Sequence, residues 1–198
     1  LDDKEFYEAL QSINRTSQHL SNTIDDFRNF FSPNKEMNKF YVSQLIKKSK
    51  DLIKSRFDKF NIKVIENIDD IEILSYQNEL FQVILNLFSN SIDVLSSSQI
   101  ENKIIYIKIY HDENNLYIEF LDNGGGIKDE FINRVFEPYF TTKHKSQGTG
   151  IGLYMSLQIV TKHLNGEISV KNDTFIENNT AYFGAKFTIL LPIHLQNN

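Results

Sequence analysis

The sequence predicts an α+β fold, a two-layer sandwich in which a mixed sheet carries helices on one face, preceded by a long N-terminal helix. Three observations predict it. β-rich and helical stretches follow one another without the regular βαβ order of a doubly wound sheet. Six of the eight glycines fall in two clusters, at 124–126 and 148–152, a mark of backbone that bends sharply or lies close to a ligand. The first thirty residues place apolar side chains at alternating spacings of three and four, the seam of a helix that packs on other helices.

Composition sets the outer limits. The chain has 198 residues, 40% apolar and 24% charged, enough for a self-sufficient core. It contains no cysteine, which removes a disulfide framework, a thiolate metal site and a cysteine nucleophile together and fits a reducing compartment. With 21 basic against 26 acidic residues, no basic footprint for nucleic acid is present and no nucleic-acid partner is expected. No apolar run approaches the ~20 residues of a membrane span. Residues 1–10, LDDKEFYEAL, have neither the basic start nor the apolar run of a signal peptide. Since the chain begins at Leu1 rather than methionine, it is read as a fragment of something longer, with its upstream part missing; separately, a cytoplasmic location is expected, with any membrane attachment only through that missing region.

The elements follow in order. Phe6, Leu10, Ile13, Leu20, Ile24, Phe27 and Phe31 form the helical seam, with Ser17 in its one polar slot, and Pro33 and Asn34 end it. So narrow a seam calls for partner helices, and a homodimer through this helix is expected; packing on its own domain is the plainer alternative. A strand over 39–42 and a helix over 43–60 come next, the helix apolar at Leu45, Ile46, Leu52, Ile53 and Phe57. The stretch 35–63 carries nine basic and three acidic residues, read as a solvated helix face. Short strands are predicted at 62–65 and 71–74. A strong helix over 78–95 rests on Leu80, Ile84, Leu87, Phe88 and Ile92, and 103–110 with 116–121 form a hairpin. A helix over 151–164, stopped at Gly166, and strands at 167–171 and 182–191 complete the chain.

Four short motifs carry chemistry. Asn86-Leu-Phe-Ser-Asn90 sets two amides four residues apart on one helical face, where their oxygens suit a hard cation or their N–H groups a phosphate; an ordinary polar helix face gives the same pattern. Asp122-Asn-Gly-Gly-Gly-Ile127 follows a strand. Its carboxylate can accept a hydrogen bond from an exocyclic amine while the glycines admit a flat ring, although a plain glycine turn reads alike. Val135-Phe-Glu-Pro-Tyr-Phe-Thr-Thr-Lys143 places three aromatics, able to pin a flexible segment to a core edge, beside a lysine able to reach phosphate as a point charge. Gly148-Thr149-Gly150-Ile-Gly152-Leu153 opens a helix, where backbone N–H groups suit phosphate. It follows no predicted strand, so it is not a dinucleotide fingerprint, and no Gly-Lys-Ser/Thr follows it, so it is not a P-loop.

In this order and spacing the four motifs resemble the catalytic ATP-binding domain of sensor histidine kinases of two-component systems, within the wider GHKL family of Bergerat-fold ATPases. NLFSN is similar to the N box, DNGGGI to the first glycine box, FEPYFTTK to the F box and GTGIGL to the second glycine box, while FGAKFTILLP looks like the closing strand. The resemblance covers about 38–192. It divides the chain into 1–34, the second helix of a dimerisation hairpin, and 35–198, the catalytic domain.

The resemblance implies ATP and Mg²⁺ as cofactors. It implies Asn90 on the Mg²⁺ with Asn86 beside it near the phosphates, and Asp122 on the adenine amine. Gly124, Gly126 and Ile127 would lie against base and sugar. Lys143 would touch phosphate from a mobile lid over about 128–147, and Gly148, Thr149, Gly150, Gly152 and Leu153 would surround the triphosphate. Asn86 and Lys143 are the residues implied to serve the transfer itself. The reaction implied is γ-phosphoryl transfer to a histidine on a helix outside this chain, for relay to a response-regulator receiver domain. Two positions depart from the pattern: Asp93 stands where many such kinases carry a lysine or arginine, and Ser146 where glycine is frequent. His19 has neither the acidic neighbour nor the proline of an acceptor box; His144 lies in the lid within reach of phosphate. The competing readings are another branch of the fold, in which ATP closes a dimer gate, and a nucleotide-binding module without turnover. The F box and Asn86 favour the kinase, since gyrase and MutL commonly carry a glutamate there.

Overall fold

In chain order the elements are β1 (Asn38–Tyr41), α1 (Val42–Phe60), β2 (Ile62–Ile68), β3 (Glu72–Ser75), α2 (Gln77–Ser97), β4 (Lys103–His111), β5 (Asn115–Asp122), the single-turn α3 (Asp129–Ile132), α4 (Gly152–Gln158) running into a π-helical turn at Ile159–His163, β6 (Glu167–Glu177) and β7 (Thr180–Pro192). The computed structural model describes residues 36–143 and 148–194, together with Phe6 and Leu10. The rest of the helix expected over 1–34, with most of its dimer seam and His19, lies outside the described residues, as do His144 and Ser146; Phe6 and Leu10 are helical and exposed.

The main sheet has the order β2-β4-β5-β7-β6. Its β2–β4 pair is parallel and the others antiparallel, the mixed sheet the sequence predicts. Alternate residues of the central strands face the helices: Ile105, Ile107 and Ile109, then Leu116, Ile118 and Phe120, then Phe187, Ile189 and Leu191, all buried in one cluster. On α2, Leu80, Val83, Ile84, Leu87, Phe88, Ile92 and Leu95 fall three or four residues apart along one face and are buried, the stripe of a helix lying on a sheet. Phe88 sits edge-on to Phe57 of α1 at 5.5 Å and to Phe120 of β5 at 5.0 Å, so one ring joins both helices to the sheet. The apolar stripe fixes the rotation of α2 and turns the flank bearing Asn86, Asn90 and Asp93 toward a cavity.

Two expectations are corrected. The helix over 151–164 is α-helical only to Gln158. The Thr161 hydroxyl donates to the Leu157 carbonyl at 2.7 Å, a bond that competes with the helical ladder, and the Leu164 N–H reaches back five residues to Ile159 O at 3.0 Å. The left-handed residue that stops this helix is Asn165, φ 50°, rather than Gly166.

The second correction concerns the last two strands, which are much longer than 167–171 and 182–191. Asn178 and Asn179, both at positive φ, make the two-residue turn that matches strand twist, and pairing runs without a break from Glu167–Leu190 to Glu177–Thr180. Beyond the end of β5 this hairpin overhangs as an arm that crosses the helix-free face of the sheet. Phe175 stacks on Tyr106 of β4 at 5.5 Å, and Glu177 accepts from Lys63 of β2 at 3.4 Å. Ile104, Leu121 and Phe175 form a second small core beneath it.

On that face Lys186 Nζ lies 2.8 Å from Asp173 Oδ2, and Lys171 Nζ 3.0 Å. The hydrogen bonds from Lys186 and Lys171 hold the Asp173 carboxyl well below the usual carboxylate range. A depressed carboxyl contributes stability that is present above the ordinary Asp pKa and lost as pH falls through the folded-state value. Asp173→Asn is therefore expected to cost about 0.5–1 kcal/mol at neutral pH, and the gap to the unaltered chain should close below pH ~4. Urea unfolding of both chains across that range checks this; a constant gap would contradict it.

Candidate functional site

A cavity of about 530 Å³ opens between the flank of α2, the end of β5, the loop before α4 and the α4 N-terminal turn. All the residues to which the resemblance assigns a place at the nucleotide or metal line it except Gly124, which sits so close to Val94 that a β-carbon would strike its side chain. Segments distant in sequence therefore converge on one space.

Asp122, at the end of β5, is 4% exposed. Its Oδ1 accepts from the Gly124 N–H at 2.9 Å and its Oδ2 from the Ser91 hydroxyl at 3.4 Å. Burial pushes its carboxyl up, opposed by the Gly124 and Ala185 N–H groups and by Ser91. A carboxylate has about four acceptor positions, so these three donors leave room for one more.

The loop after Asp122 is held from outside the motif. Asn172 of β6 accepts from the Ile127 N–H at 2.8 Å and donates to the Ile127 carbonyl at 2.7 Å, a two-way clamp on the Gly126–Ile127 backbone. Asn123 anchors the other side, accepting from the Ile104 N–H at 2.8 Å and donating to Asn102 O at 2.7 Å.

On α2, Asn86 donates to the Ser156 hydroxyl of α4 at 2.8 Å, and Gly152 packs so tightly on its amide that a β-carbon there would overlap the Asn86 oxygen. Asn90 Oδ1 faces Lys143 Nζ at 3.4 Å, while its Nδ2 is buried with no hydrogen-bond partner. Lys143 pairs with Asp93 at 2.8 Å.

Among the loop aromatics, Phe136 meets Phe187 of the core at 6.4 Å, and Phe140 packs on Phe131 at 5.5 Å under the Arg134 guanidinium. Tyr139 departs from the expected anchoring role: it is 76% exposed, at φ 65°. Its N–H donates to Gly150 O at 2.9 Å, and Gly150, itself at φ 66°, lies within 2.8 Å of Phe140 backbone at the place a β-carbon would occupy. The glycine lets the two loops touch. Thr149 Oγ1 accepts from the Ile151 N–H at 3.4 Å, and Leu153 and Ile127 are partly buried against the main core.

Sequence reasoning missed three residues here. Asn172 gives no local signal, and Arg56, which also lines the cavity, sits in the stretch read as solvated. Gly184 of β7 presses on the Asp122 backbone, and its signal was present: a glycine inside a strand pattern marks close backbone approach.

A two-layer sandwich with paired helix amides, a buried strand-end carboxylate and two glycine loops around one cavity defines a nucleotide-binding ATPase domain. Residues 75–195 match the model of the family described as histidine kinase-, DNA gyrase B-, and HSP90-like ATPases, and the chain belongs to that family. It is 32% identical over 155 residues to sporulation kinase E of Bacillus subtilis (strain 168), across 77% of this chain and 19% of that protein. The catalytic domain of histidine kinase ThkA superposes with a TM-score of 0.66 at 25% identity, over 80% of this chain and 97% of that one. A structure of ThkA in complex with response regulator protein TrrA superposes with a TM-score of 0.71 at 23% identity, over 98% of this chain and 53% of that one. The chain spans about a fifth of the length of curated relatives that it matches, 19%, 20% and 17% of three of them. Among the described residues no helix is long and apolar enough to cross a membrane.

Proposed function

We propose that this chain is the catalytic part of a two-component histidine kinase, binding ATP with Mg²⁺ and delivering the γ-phosphoryl group to a histidine on a separate helix, for relay to a receiver-domain aspartate. The observation that carries it is the convergence of Asn86, Asn90, Asp122 and Lys143 on one glycine-walled cavity. Asp122 has an acceptor position to spare for the adenine amine. Gly126 and Ile127, held by Asn172, form the wall for base and sugar. Lys143 and the loop from Gly148 to Gly152 take the phosphates. Such a site works by positioning and charge neutralisation rather than by covalent chemistry of its own.

The residues fit a metal that arrives with its nucleotide. Among the described residues no group of three His, Asp or Glu side chains could cage one, whereas Asn90 lines the cavity with its Oδ1, a hard oxygen, 3.4 Å from Lys143 Nζ. Mg²⁺ ordinarily takes few protein oxygens and completes its shell with phosphate and water; when bound it would neutralise phosphate charge. Asn90 offers it one oxygen.

The helix over 1–34 is proposed as the second helix of the dimerisation hairpin, and the receiver domain as the partner that the whole protein engages; ThkA, whose fold this chain shares, has been solved with a response regulator. The test incubates the chain with γ-labelled ATP, alone and with a supplied hairpin carrying an acceptor histidine. Acid-labile label is expected on the hairpin only. Nucleotide binding with no label on either would leave a binding module without turnover and end the kinase reading.

A further inference from the structure

The cavity contains a cation that none of the four motifs supplies. Arg56 stands on α1, and its guanidinium turns inward to α2: Nη1 donates to Ser89 Oγ at 2.9 Å and Nη2 to Asp93 Oδ1 at 2.7 Å. The other oxygen of Asp93 takes Lys143 Nζ at 2.8 Å, and Lys143 also reaches Asn90 Oδ1 at 3.4 Å. One carboxylate on the cavity wall thus holds two cations, one from α1 and one from the loop before Gly148, next to the amide proposed for the metal.

We propose that Arg56 binds nucleotide phosphate in this site, and that Asp93 stores the two cations until phosphate takes its place on Lys143. The inference rests on the ATP reading above. Taken by itself, Asp93 would repel a polyphosphate approaching Asn90. Paired with Arg56 and Lys143 it belongs to a group of net charge +1, which attracts one.

A guanidinium has five N–H donors in a rigid fork that matches phosphate oxygens. The contacts to Ser89 and Asp93 engage two of them through Nη1 and Nη2 and fix the plane, leaving three N–H donors on a side chain that lines the cavity. The side chains of Arg56, Asp93 and Lys143 are 37%, 34% and 28% exposed, so they are free to adjust to a ligand. A polyphosphate carries more charge than one carboxylate, and a flexible ammonium moves to it more readily than a bidentate fork. Lys143 therefore changes partner while Arg56 keeps Asp93 and adds phosphate.

The test titrates the chain with ATP, ADP and adenosine in magnesium buffer, followed by amide chemical shifts in nuclear magnetic resonance, which report weak binding. Arg56→Gln is expected to weaken ATP and ADP roughly ten- to a hundredfold and adenosine less than about twofold. Arg56→Lys should recover only part of the loss, because it restores the charge without the fork. The loss should persist when Asp93→Asn is added. Unchanged ATP affinity in Arg56→Gln would overturn the proposal. So would recovery of ATP affinity by Asp93→Asn, since Arg56 would then merely neutralise Asp93. An equal loss for adenosine would make Arg56 structural and overturn it too. Failure of the unaltered chain to bind ATP or adenosine would overturn the ATP reading and this inference together.

Discussion

Asp122→Ala is expected to weaken ATP binding by about ten- to a hundredfold and to erase the preference for ATP over GTP. The carboxylate is buried with one acceptor position to spare. Adenine presents an amine donor at its six position where guanine presents a carbonyl acceptor, so the same group that attracts one base repels the other. Its loss should cost ATP heavily and leave GTP unchanged or slightly improved. Stability should respond differently. Burial raises the folded-state pKa of this carboxyl, so its ionised form is a cost that is absent below the ordinary Asp range and present above the raised pKa. Asp122→Asn, which keeps the shape, should fold at least as stably as the unaltered chain at neutral pH while losing ATP. Calorimetric titration with both nucleotides, beside a thermal melt, separates the two effects. Equal ATP affinity in the alanine variant would remove Asp122 from the base site.

The largest expected effect on folding is that of Gly184→Val. A β-carbon at Gly184 would fall on the Asp122 carbonyl oxygen and within 2.7 Å of the Asp122 carbonyl carbon. Both are backbone held in strands, Gly184 paired with Asp173 of β6 and Asp122 with Ile105 of β4, and cannot yield as a side-chain tip can. β7 must separate from β5 at the point where the two strands frame the cavity. The cost is set at about 3 kcal/mol, roughly 10 °C in Tm for a domain of this size. Nucleotide affinity should fall with it, because Asp122 is displaced. Differential scanning calorimetry of the variant checks the size; a shift under about 2 °C would mean that the strands relax freely there.

The two predictions rest on residues of very different legibility. Asp122 could be read because its chemistry and the glycines that serve it are neighbours in the chain. The same holds for Asn86 with Asn90 and for Gly148 to Gly152, each carried by one turn of backbone. The mixed sheet and the helix-covered face followed from the order and periodicity of elements such as α2, whose buried stripe was nearly complete in the sequence. Arg56 and Asn172 could not be read, because each enters the site from another element and its position depends on how α1 lies on α2 or how β6 passes the glycine loop. The long ends of β6 and β7 were lost for another reason. Residues 172–177 lack the apolar alternation of a half-buried strand, since they pack on a partly charged outer face, and the Asn178–Asn179 pair that turns them is a weaker hairpin signal than a pair with glycine.

The arm made by that hairpin bears on the order in which the molecule assembles. Its own pairing is local, set by a two-residue turn, and a hairpin of this type closes within about 1–10 μs. Its docking is not local: Phe175 must find Tyr106, and Glu177 must find Lys63, 114 residues earlier in the chain. Contacts across such separations form only after the intervening loop has been closed. The tip of the arm, with Phe175 and Glu177, is therefore expected to dock after the helix-covered face has formed around Phe88, a face to which Phe187, Ile189 and Leu191 of β7 already belong. Asn172 and Gly184 stand between that core segment and the tip, so Ile127 and Asp122 receive their partners from the part of the hairpin that joins the two faces of the sheet.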